Sequence, residues 1–421
     1  MNVVLQSLVS NPMMSSYFLS DAHNRSNCAL SKSTRLCLGC ETDNLVESMF
    51  NGDRIPFSPH RYLLTTWRCT DHLAGYEQQD AHDFYISTMN AIHTHIGEAL
   101  IMDQEERLQQ SMGGMQQIPP SSQPSGELGI SAITVDALEG MELYTEDSFT
   151  DEKCICVTHK VFAGFLRSDV QCLSCHSIST VKEAFLDISL DLESLSSSNQ
   201  APLTLKDVLG RFVQSETLDS FTCDSCREKT MCTKQLSIDQ LPLTLCFHMK
   251  RFKHTLTSTR KIETYMPFPM NIDMTPYTHH SASTTSSTTS TPPSEMENGW
   301  KPAAPATSHQ SIHSDNHQPN TLNEDPGKSR KLIHCPDINT IGEGHRGNVP
   351  RADTAIYSLY AVVNHSGNME NGHYTCFVRQ GQAWFKCDDH TISKATKKEV
   401  LASKAYLLFY CRTVLEYQEQ I

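Results

Sequence analysis

The segment Asn371–Asp389, NGHYTCFVRQGQAWFKCDD, decides how the rest of the chain is interpreted. Within it, Tyr374–Arg379 and Ala383–Cys387 are rich in the aromatic and β-branched residues that favour strands. A short polar stretch containing Gln380-Gly381 separates them, and this arrangement is typical of a β-hairpin. The segment therefore predicts two antiparallel strands joined by a tight turn.

The register of this hairpin determines which side chains face each other. If the loop has two residues, Arg379 pairs with Gln382 and His373 falls opposite Asp388. A loop longer by one residue would pair His373 with Asp389 instead. Directly opposed side chains lie about 4.5–5.5 Å apart at Cβ, so an imidazole would face a carboxylate, as in a nucleophile–base–carboxylate triad. A surface histidine in an ordinary hairpin is the alternative interpretation.

Composition narrows the classes of protein that are compatible with the chain. The 421 residues carry a formal net charge of −14, which disfavours direct nucleic-acid binding and favours a partner with basic features. No run of apolar residues is long enough to predict a transmembrane helix, and the N-terminus lacks the basic region of a signal peptide. The 16 cysteines are therefore better explained as metal thiolates than as disulfides.

Two Cys-x-x-Cys pairs predict a zinc ribbon. Each pair supplies two thiolates from a turn at the tip of a hairpin, and four thiolates complete a tetrahedral structural site. The 47 residues between the pairs indicate that the ribbon is interrupted by an insertion. The predicted ligands are Cys172, Cys175, Cys223 and Cys226. The nearby Cys154 and Cys156 are predicted to lie outside the metal site.

A second group near the N-terminus has the composition of a Cys3His zinc site. Cys37 and Cys40 form one tight pair in which Gly39 lets the backbone fold closely around a metal ion. His23 and Cys28 would complete the tetrahedron. Buried cysteines without a metal are the alternative.

The chain divides into five segments by composition. Residues 1–102 are predicted to be largely helical, and residues 103–150 form a polar, flexible insertion. Residues 151–277 contain the ribbon, residues 278–350 are predicted to be a disordered low-complexity insertion, and residues 351–421 contain the hairpin with His373.

Hydrophobic periodicity predicts further elements within these segments. The sequence predicts helices at Val3–Val9, Asp43–Phe50, from Gln78 to about His95, and at Leu205–Phe212, and strands at His159–Val170, Phe185–Leu192, Leu241–Phe252 and Ala405–Cys411. Gln79 and Asp80 stand at the start of the third helix, where capping of the helix is an alternative to any role in binding.

These motifs, in this order, resemble those of the ubiquitin-specific proteases, a family of cysteine deubiquitinases. The matching segments are Asn2–Leu8, Gln78–Phe84, the two Cys-x-x-Cys pairs, Leu241–Phe252, Gly372–Tyr374, Trp384–Asp389 and Ala405–Tyr410. Together they cover nearly the whole chain outside the two insertions. The resemblance implies an α+β, papain-like fold with a helical thumb, a β-rich palm, and zinc-ribbon fingers that grip ubiquitin.

The resemblance also assigns roles to individual residues. His373 is expected to be the general base, Asp388 the residue that orients it, and Asp389 a second acidic residue that assists. Gly372 and Tyr374 are expected to line the channel for the Gly-Gly tail of ubiquitin. Gln79 and Asp80 are the other expected substrate-binding residues. Two structural zinc ions are expected, one in the fingers and one in the thumb.

The group His23/Cys28/Cys37/Cys40 is similar to that of the branch containing the histone-directed deubiquitinase of the SAGA transcriptional coactivator. That similarity implies a ubiquitinated histone as substrate, subunits of a SAGA-like deubiquitinase module as partners, and a nuclear or additionally cytoplasmic location. No membrane and no nucleic acid are expected among the direct partners.

One departure from the family pattern concerns the nucleophile. In the family, the nucleophilic Cys lies two residues before a Met-Asn pair, in a Gly-Asn-x-Cys-[Phe/Tyr]-Met-Asn box. Here Met1 corresponds to that Met, and the chain as printed is expected to be inactive alone. An N-terminally shortened sequence, an isoform that starts at an internal Met, and a catalytically inactive ubiquitin-binding scaffold are the three explanations.

Overall fold

The structure is a computed structural model that describes residues 1–33, 36–52, 56–75, 77–113, 154–192, 203–254, 259–279, 355–368 and 371–413. Most of the two predicted insertions, 103–150 and 278–350, lies outside these residues. Within the described ranges the α-helices are α1 (Asn2–Val9), α2 (Pro12–Leu19), α3 (Ala29–Lys32), α4 (Leu38–Phe50), α5 (His60–Cys69), α6 (Ala81–Gly113), α7 (Val157–Phe162), α8 (Leu205–Phe212) and α9 (Lys397–Leu401).

The strands form a four-stranded sheet, an eight-stranded sheet and a small hairpin in the described part of the chain. They are β1 (Gly164–Cys172), β2 (Ile178–Phe185), β3 (Ile188–Asp191), β4 (Glu216–Thr222), β5 (Lys229–Gln240), β6 (Thr244–Lys250), β7 (Phe252–His254), β8 (Thr259–Lys261), β9 (Asn271–Asp273), β10 (Ile356–Gly367), β11 (Gly372–Gln380), β12 (Ala383–Asp388), β13 (Thr391–Ala395) and β14 (Ala405–Arg412).

The larger sheet is the palm. Its strands run in the order β13-β12-β11-β10-β14-β6-β3, and β9 pairs with β10 outside this path. Neighbouring strands are antiparallel except β3 and β6, which are parallel. Both faces of the sheet are covered, so adjacent residues of β10, such as Leu359 and Tyr360, are buried in two different hydrophobic clusters.

The smaller sheet is the fingers, with strand order β2-β1-β5-β4. The β1–β2 hairpin carries Cys172 and Cys175 at its tip, and the β4–β5 hairpin carries Cys223 and Cys226. Between the two hairpins the chain enters the palm as β3 and packs α8 against that strand. This excursion accounts for the long spacing between the two cysteine pairs.

A buried asparagine joins the thumb to the palm. The side chain of Asn11 caps α2 by accepting hydrogen bonds from the backbone N–H groups of Met13 and Met14. Its Nδ2 donates to Thr244 Oγ1 on β6 at 2.7 Å and to the Tyr360 hydroxyl on β10 at 3.2 Å. The N-terminal helices are thereby fixed against the central strands of the palm.

Helix α6 is longer than predicted. It was expected to end near His95, and residues from 103 onward were expected to be flexible, but the helix continues to Gly113. Glu, Gln, Arg and Leu in this extension favour helix, and Arg107 pairs with Asp103 one turn away at 2.7 Å. The polar composition of this segment wrongly suggested a flexible insertion. A helix end that extends away from the core into solvent does not need an apolar face.

Three predicted strands differ from the structure. The strand expected at Leu241–Phe252 is shorter, since β6 covers only Thr244–Lys250 and Phe252 begins β7. His159–Val170 was expected to be extended throughout, but α7 occupies Val157–Phe162 and β1 begins only at Gly164. Phe185–Leu192 was expected to be one strand, but the chain breaks between β2 and β3 at Asp187. The alternation of apolar residues continues through this break, so periodicity could not reveal it.

The predicted helices at Val3–Val9 and Leu205–Phe212 are confirmed. The predicted helix at Asp43–Phe50 is present as the C-terminal part of α4. No helix among the described residues is long and apolar enough to cross a membrane.

Candidate active site and metal centres

His373 and Asp388 form a hydrogen-bonded pair at one end of the palm sheet. His373 lies near the start of β11, Asp388 ends β12, and His373 Nε2 is 2.7 Å from Asp388 Oδ1. Both side chains are partly open to solvent. The hydrogen bond from His373, together with the positive charges of His373 and Lys386, lowers the pKa of the Asp388 carboxyl below its usual value. The aspartate therefore stays ionised and can orient the imidazole.

The predicted contact is present, but the predicted register is wrong. The structure pairs Gln380 with Ala383, so the loop consists of Gly381-Gln382, one residue later than expected. Gly381 has a φ of +59°, and type II′ hairpin turns place glycine at this first loop position. His373 lies beyond the last paired residues and reaches Asp388 diagonally rather than from directly across.

A pocket opens beside this pair. Its walls come from the start of α1, from the residues before α6, and from the ends of β11 and β12. The lining residues are Met1, Asn2, Val3, Gln78, Gln79, Gly372, His373, Tyr374 and Asp389. The predicted residues Gln79, Gly372, Tyr374 and Asp389 are thus brought together with His373. No cysteine is among these lining residues.

Gly372 cannot carry a side chain in this arrangement. A Cβ atom built on it would lie 1.9 Å from Nε2 of His365, which faces it from β10. The backbone N–H of Gly372 donates to Oε1 of Gln78 at 2.9 Å. The glycine therefore allows β11 to lie against the segment that precedes α6 while His365 fills the space behind it.

Asp80 lies behind Tyr374 rather than in the pocket lining. The hydroxyls of Tyr374 and Tyr406 both donate to its Oδ2, at 2.8 Å and 2.7 Å. Its Oδ1 accepts the backbone N–H groups of His82 and Asp83 at the start of α6. The capping role considered from the sequence is therefore present.

Asp389 follows the pair in the turn between β12 and β13. Its φ is +50°, in the left-handed region that non-glycine residues seldom adopt. Asn2 Nδ2 at the start of α1 donates to its Oδ1 at 3.4 Å. This contact joins the end of the palm that carries His373 and Asp388 to the first helix.

The fingers bring the four predicted cysteines together. Their sulfur atoms approach to 4.0 Å between Cys172 and Cys226 and to 3.7 Å between Cys175 and Cys223. Four thiolates around a tetrahedral Zn²⁺ are about 3.8 Å apart, given a Zn–S distance of about 2.3 Å. The donor set and its spacing therefore fit a structural zinc ion.

The predicted tetrad of the thumb also assembles. His23, Cys28, Cys37 and Cys40 are all buried, and their ligand atoms lie within 4.8 Å of one another. His23 Nε2 is 3.3 Å from Cys40 Sγ and 3.5 Å from Cys37 Sγ. A Cβ atom on Gly39 would meet Nε2 of His23 at 3.0 Å, so this glycine makes room for the histidine. The arrangement fits Zn²⁺.

A third tetrad was missed by the sequence interpretation. Cys154 and Cys156 were expected to lie outside any metal site, but the structure places both beside His93 of α6 and His159 of α7. His93 Nδ1 is 3.4 Å from each sulfur, and His159 Nδ1 is 3.3 Å from Cys156 Sγ. The Cys-x-Cys-x-x-His spacing was visible in the sequence, but the fourth ligand comes from a helix 61 residues away.

A further cluster, beside Asp80, has polar side chains but not the geometry of a metal site. His82 and His248 stack with their ring centroids 3.8 Å apart and their planes 15° from parallel. Asp187 Oδ2 lies 3.1 Å from His82 Nε2, and Ser189 Oγ lies 2.9 Å from His248 Nδ1. Stacked rings direct their nitrogen lone pairs in parallel rather than toward one ion.

Burial within this cluster sets two protonation states. It lowers the pKa of His248 to about 4, and the neighbouring His82 acts in the same direction. Burial alone would raise the pKa of Asp187, but the hydrogen bond and positive charge of His82 outweigh it and lower that pKa. His248 is therefore neutral and Asp187 ionised at neutral pH.

Nearly the whole chain matches one known protein family. The family model described as "Ubiquitin carboxyl-terminal hydrolase" matches residues 1–410. The chain therefore belongs to the ubiquitin carboxyl-terminal hydrolase family, and the resemblance inferred from its motifs is confirmed.

Individual relatives agree with this assignment. The chain is similar to the ubiquitin carboxyl-terminal hydrolase nonstop of Drosophila melanogaster, with 34% identity over 423 residues, covering 99% of this chain and 66% of the relative. It is also similar to ubiquitin carboxyl-terminal hydrolase 22 of Homo sapiens, with 32% identity, covering 99% of this chain and 65% of the relative. The chain thus spans just under two thirds of the length of these relatives.

A solved structure shares the fold. It is described as the SAGA Ubp8/Sgf11/Sus1/Sgf73 DUB module bound to ubiquitin aldehyde, and the match has a TM-score of 0.61. Identity is 25%, and the match covers 98% of this chain and 67% of the other. The predicted α+β fold of the ubiquitin-specific protease catalytic domain is confirmed.

Proposed function

We propose that this chain forms most of the catalytic domain of a deubiquitinase, which hydrolyses the isopeptide bond at the C-terminus of ubiquitin with a thiol nucleophile. The observation that carries the proposal is the hydrogen-bonded pair of His373 and Asp388 at a pocket shared with Gly372. Membership of the family supplies the reaction class.

His373 would act as the general base. When Nε2–H donates to Asp388, the other ring nitrogen, Nδ1, keeps its lone pair and is available to remove a proton from a thiol. The thiolate would attack the carbonyl carbon of the last ubiquitin residue, and the imidazolium would then protonate the leaving lysine amine. In the second half of the reaction, the same imidazole would activate the water that releases ubiquitin from the thioester.

The thiol itself is not among the residues lining the pocket. We propose that it comes from the Asn-x-Cys segment that the family carries immediately before the position of Met1. Met1 and Asn2 line the pocket beside His373, so a residue shortly before them would be close to the imidazole.

The remaining expected residues would bind ubiquitin. Gly372, Tyr374 and Gln79 line the pocket, where the absence of a side chain at Gly372 suits the narrow Gly-Gly tail. Asp389 is also exposed there, and Asp80 supports Tyr374 from behind. The fingers would hold the body of ubiquitin.

Zinc would have a structural role. The three tetrads described above would each hold one ion, which replaces the missing hydrophobic core at the tip of the fingers and joins distant segments in the thumb. Each tetrad would supply four protein ligands to its zinc ion, so no coordination position would remain for a substrate or a water molecule.

A ubiquitinated histone is the proposed substrate, within a nuclear assembly like the SAGA deubiquitinase module. The solved structure with the same fold combines the matching chain with Sgf11, Sus1 and Sgf73. The thumb tetrad supports this narrower proposal, because its sequence pattern is similar to that of the SAGA deubiquitinase branch of the family.

A ubiquitin-binding scaffold without catalysis is the second candidate. The pocket without a lining thiol is the observation that favours it. Such a scaffold would need the fingers and palm but not the pair of His373 and Asp388.

The test compares the chain as printed with a version extended by the family's Asn-x-Cys-Phe segment. We expect the extended version to cleave a fluorogenic ubiquitin C-terminal substrate, and His373→Ala to lower its kcat by about 10²–10⁴-fold. His390→Ala is the matched control, since His390 is exposed and does not line the pocket. Ubiquitin binding without cleavage by the extended version would favour the scaffold instead.

A further inference from the structure

The carboxylate of Asp80 is fully engaged by groups of the protein itself. Oδ1 accepts the backbone N–H groups of His82 at 2.7 Å and Asp83 at 3.2 Å. Oδ2 accepts the hydroxyls of Tyr374 at 2.8 Å and Tyr406 at 2.7 Å. An ionised carboxylate accepts about four hydrogen bonds, so Asp80 has no acceptor capacity left for a substrate.

These four bonds join three separate elements. Oδ1 holds the N-terminus of α6, while the two tyrosines belong to β11 and β14, which are not neighbours in the palm sheet because β10 lies between them. Tyr374 directly follows His373. The position of the His373 imidazole therefore depends on the hydrogen bond by which Asp80 fixes Tyr374.

The surroundings keep both tyrosines in place. The ring of His365 on β10 lies 4.7 Å from that of Tyr374, and the rings of Tyr374 and Tyr406 are 5.8 Å apart. Burial raises the pKa of both tyrosines, and the charge of Asp80 raises it further. Both hydroxyls therefore remain protonated donors at neutral pH.

We propose that Asp80 is a positioning residue that acts on His373 through Tyr374 and Tyr406, rather than a residue that contacts ubiquitin. The proposal rests on the proposed function in that His373 is the general base. The bonds from Asp80 tie the thumb to the end of β11 and fix the imidazole relative to the pocket formed with α1.

The first test follows His373 in the chain as printed. The imidazole ¹H–¹⁵N signals of His373, assigned with His373→Gln, are recorded for the parent, Asp80→Ala, Tyr406→Phe and Tyr410→Phe. Tyr410 is the matched control because its hydroxyl, on the same strand, donates to Pro269 O instead. We expect shifted or broadened His373 signals in Asp80→Ala and Tyr406→Phe, and parental signals in Tyr410→Phe. Unchanged signals in the first two variants would overturn the proposal.

The second test measures the ubiquitin affinity of the same four proteins and of the double variant Asp80→Ala/Tyr406→Phe. If Asp80 acts through the tyrosines, Asp80→Ala and Tyr406→Phe alter the affinity by similar factors, and the double variant is no worse than Asp80→Ala alone. A direct contact between Asp80 and ubiquitin would instead weaken binding by about tenfold in Asp80→Ala but not in Tyr406→Phe, and would overturn the proposal. A parent chain that does not bind ubiquitin refutes the proposed function, while the His373 signals still decide on Asp80.

Discussion

Gly372 shows how a single residue links the pocket beside His373 to the core. The space that a side chain at position 372 would fill is occupied by His365, whose Nε2 would lie 1.9 Å from an added Cβ. His365 is itself buried, and burial lowers its pKa, so a neutral ring packs against Tyr374. The two residues therefore depend on each other's size.

Gly372→Ala is expected to weaken ubiquitin binding by about tenfold or more, because the new methyl group must displace either His365 or β11. His365→Ala should relieve the clash with the imidazole and leave only the 2.9 Å approach to Asn368 O, so the double variant should bind ubiquitin more tightly than Gly372→Ala alone. Fluorescence anisotropy with labelled ubiquitin provides the measurement.

Gly210→Ala is the matched control for this prediction. A Cβ on Gly210, in α8, would meet nothing within 4 Å, so this change should leave binding unaltered and stabilise the helix by about 1 kcal/mol. Unimpaired binding by Gly372→Ala would show that β11 can shift without affecting the tail channel.

At the same scale, the sequence predicted the contact between His373 and Asp388 while misplacing the turn between their strands. A shift of the loop by one residue changes every directly opposed pair. The contact survived because the imidazole reaches Asp388 from a diagonal position beyond the paired residues. Motif identity pointed to this pair of residues, whereas the backbone conformation of Gly381 determined the register.

Among the elements, α6 connects more of the molecule than its sequence pattern indicated. Asp80 caps its start, His93 contributes to the third tetrad, and His95 Nδ1 accepts the backbone N–H of Leu38 beside the thumb tetrad at 2.8 Å. The helix and the capping role of Asp80 were foreseen from the sequence, but the contacts of His93 and His95 were not, because their partners lie far away along the chain. Local periodicity contains no information about such pairings.

The third tetrad leads to a prediction about metal content. We expect about three zinc ions per chain in protein purified with zinc, and one fewer in Cys156→Ala, with a lower Tm, since a tetrahedral site with three ligands holds zinc less tightly. Inductively coupled plasma mass spectrometry counts the ions.

Cys246→Ala serves as the comparison, since Cys246 is equally buried but belongs to the palm strand β6 rather than to a described tetrad. It should retain the parental zinc content. An unchanged zinc count in Cys156→Ala would contradict the prediction and would indicate that Cys154 and Cys156 are buried thiols without a metal.

For the whole molecule, stability should decrease in mild acid. The pKa of His248 is lowered to about 4 by burial, whereas in an unfolded chain a histidine titrates near 6.5. Between these values the unfolded state binds more protons, so the free energy of unfolding falls as the pH falls. Asp187, whose pKa is also lowered, adds a loss of stability at still lower pH, as its carboxylate becomes protonated.

His248→Gln is expected to flatten this pH dependence. The parent should lose roughly 2 kcal/mol more of unfolding free energy than the variant between pH 7.5 and pH 5, because the variant has no imidazole to protonate on unfolding. Urea unfolding at both pH values measures the difference. His60→Gln, at an exposed position, should behave like the parent, and equal slopes for all three proteins would contradict the assignment of His248.

The fold as a whole was more predictable than its details. The order of the motifs predicted the thumb, palm and fingers, and the two Cys-x-x-Cys pairs predicted the interrupted ribbon. The start of β1 and the break at Asp187 were missed because apolar alternation continues across both a short helix and a break. Tertiary contacts, rather than local preference, determined these boundaries.

The saturated carboxylate of Asp80 also bears on inhibitor design. A compound that mimics the ubiquitin tail would gain little from a cationic group directed at Asp80, because that group must first displace two tyrosine hydroxyls. Asp389 is a better anchor, since it lines the pocket, is exposed, and receives a long 3.4 Å contact from Asn2.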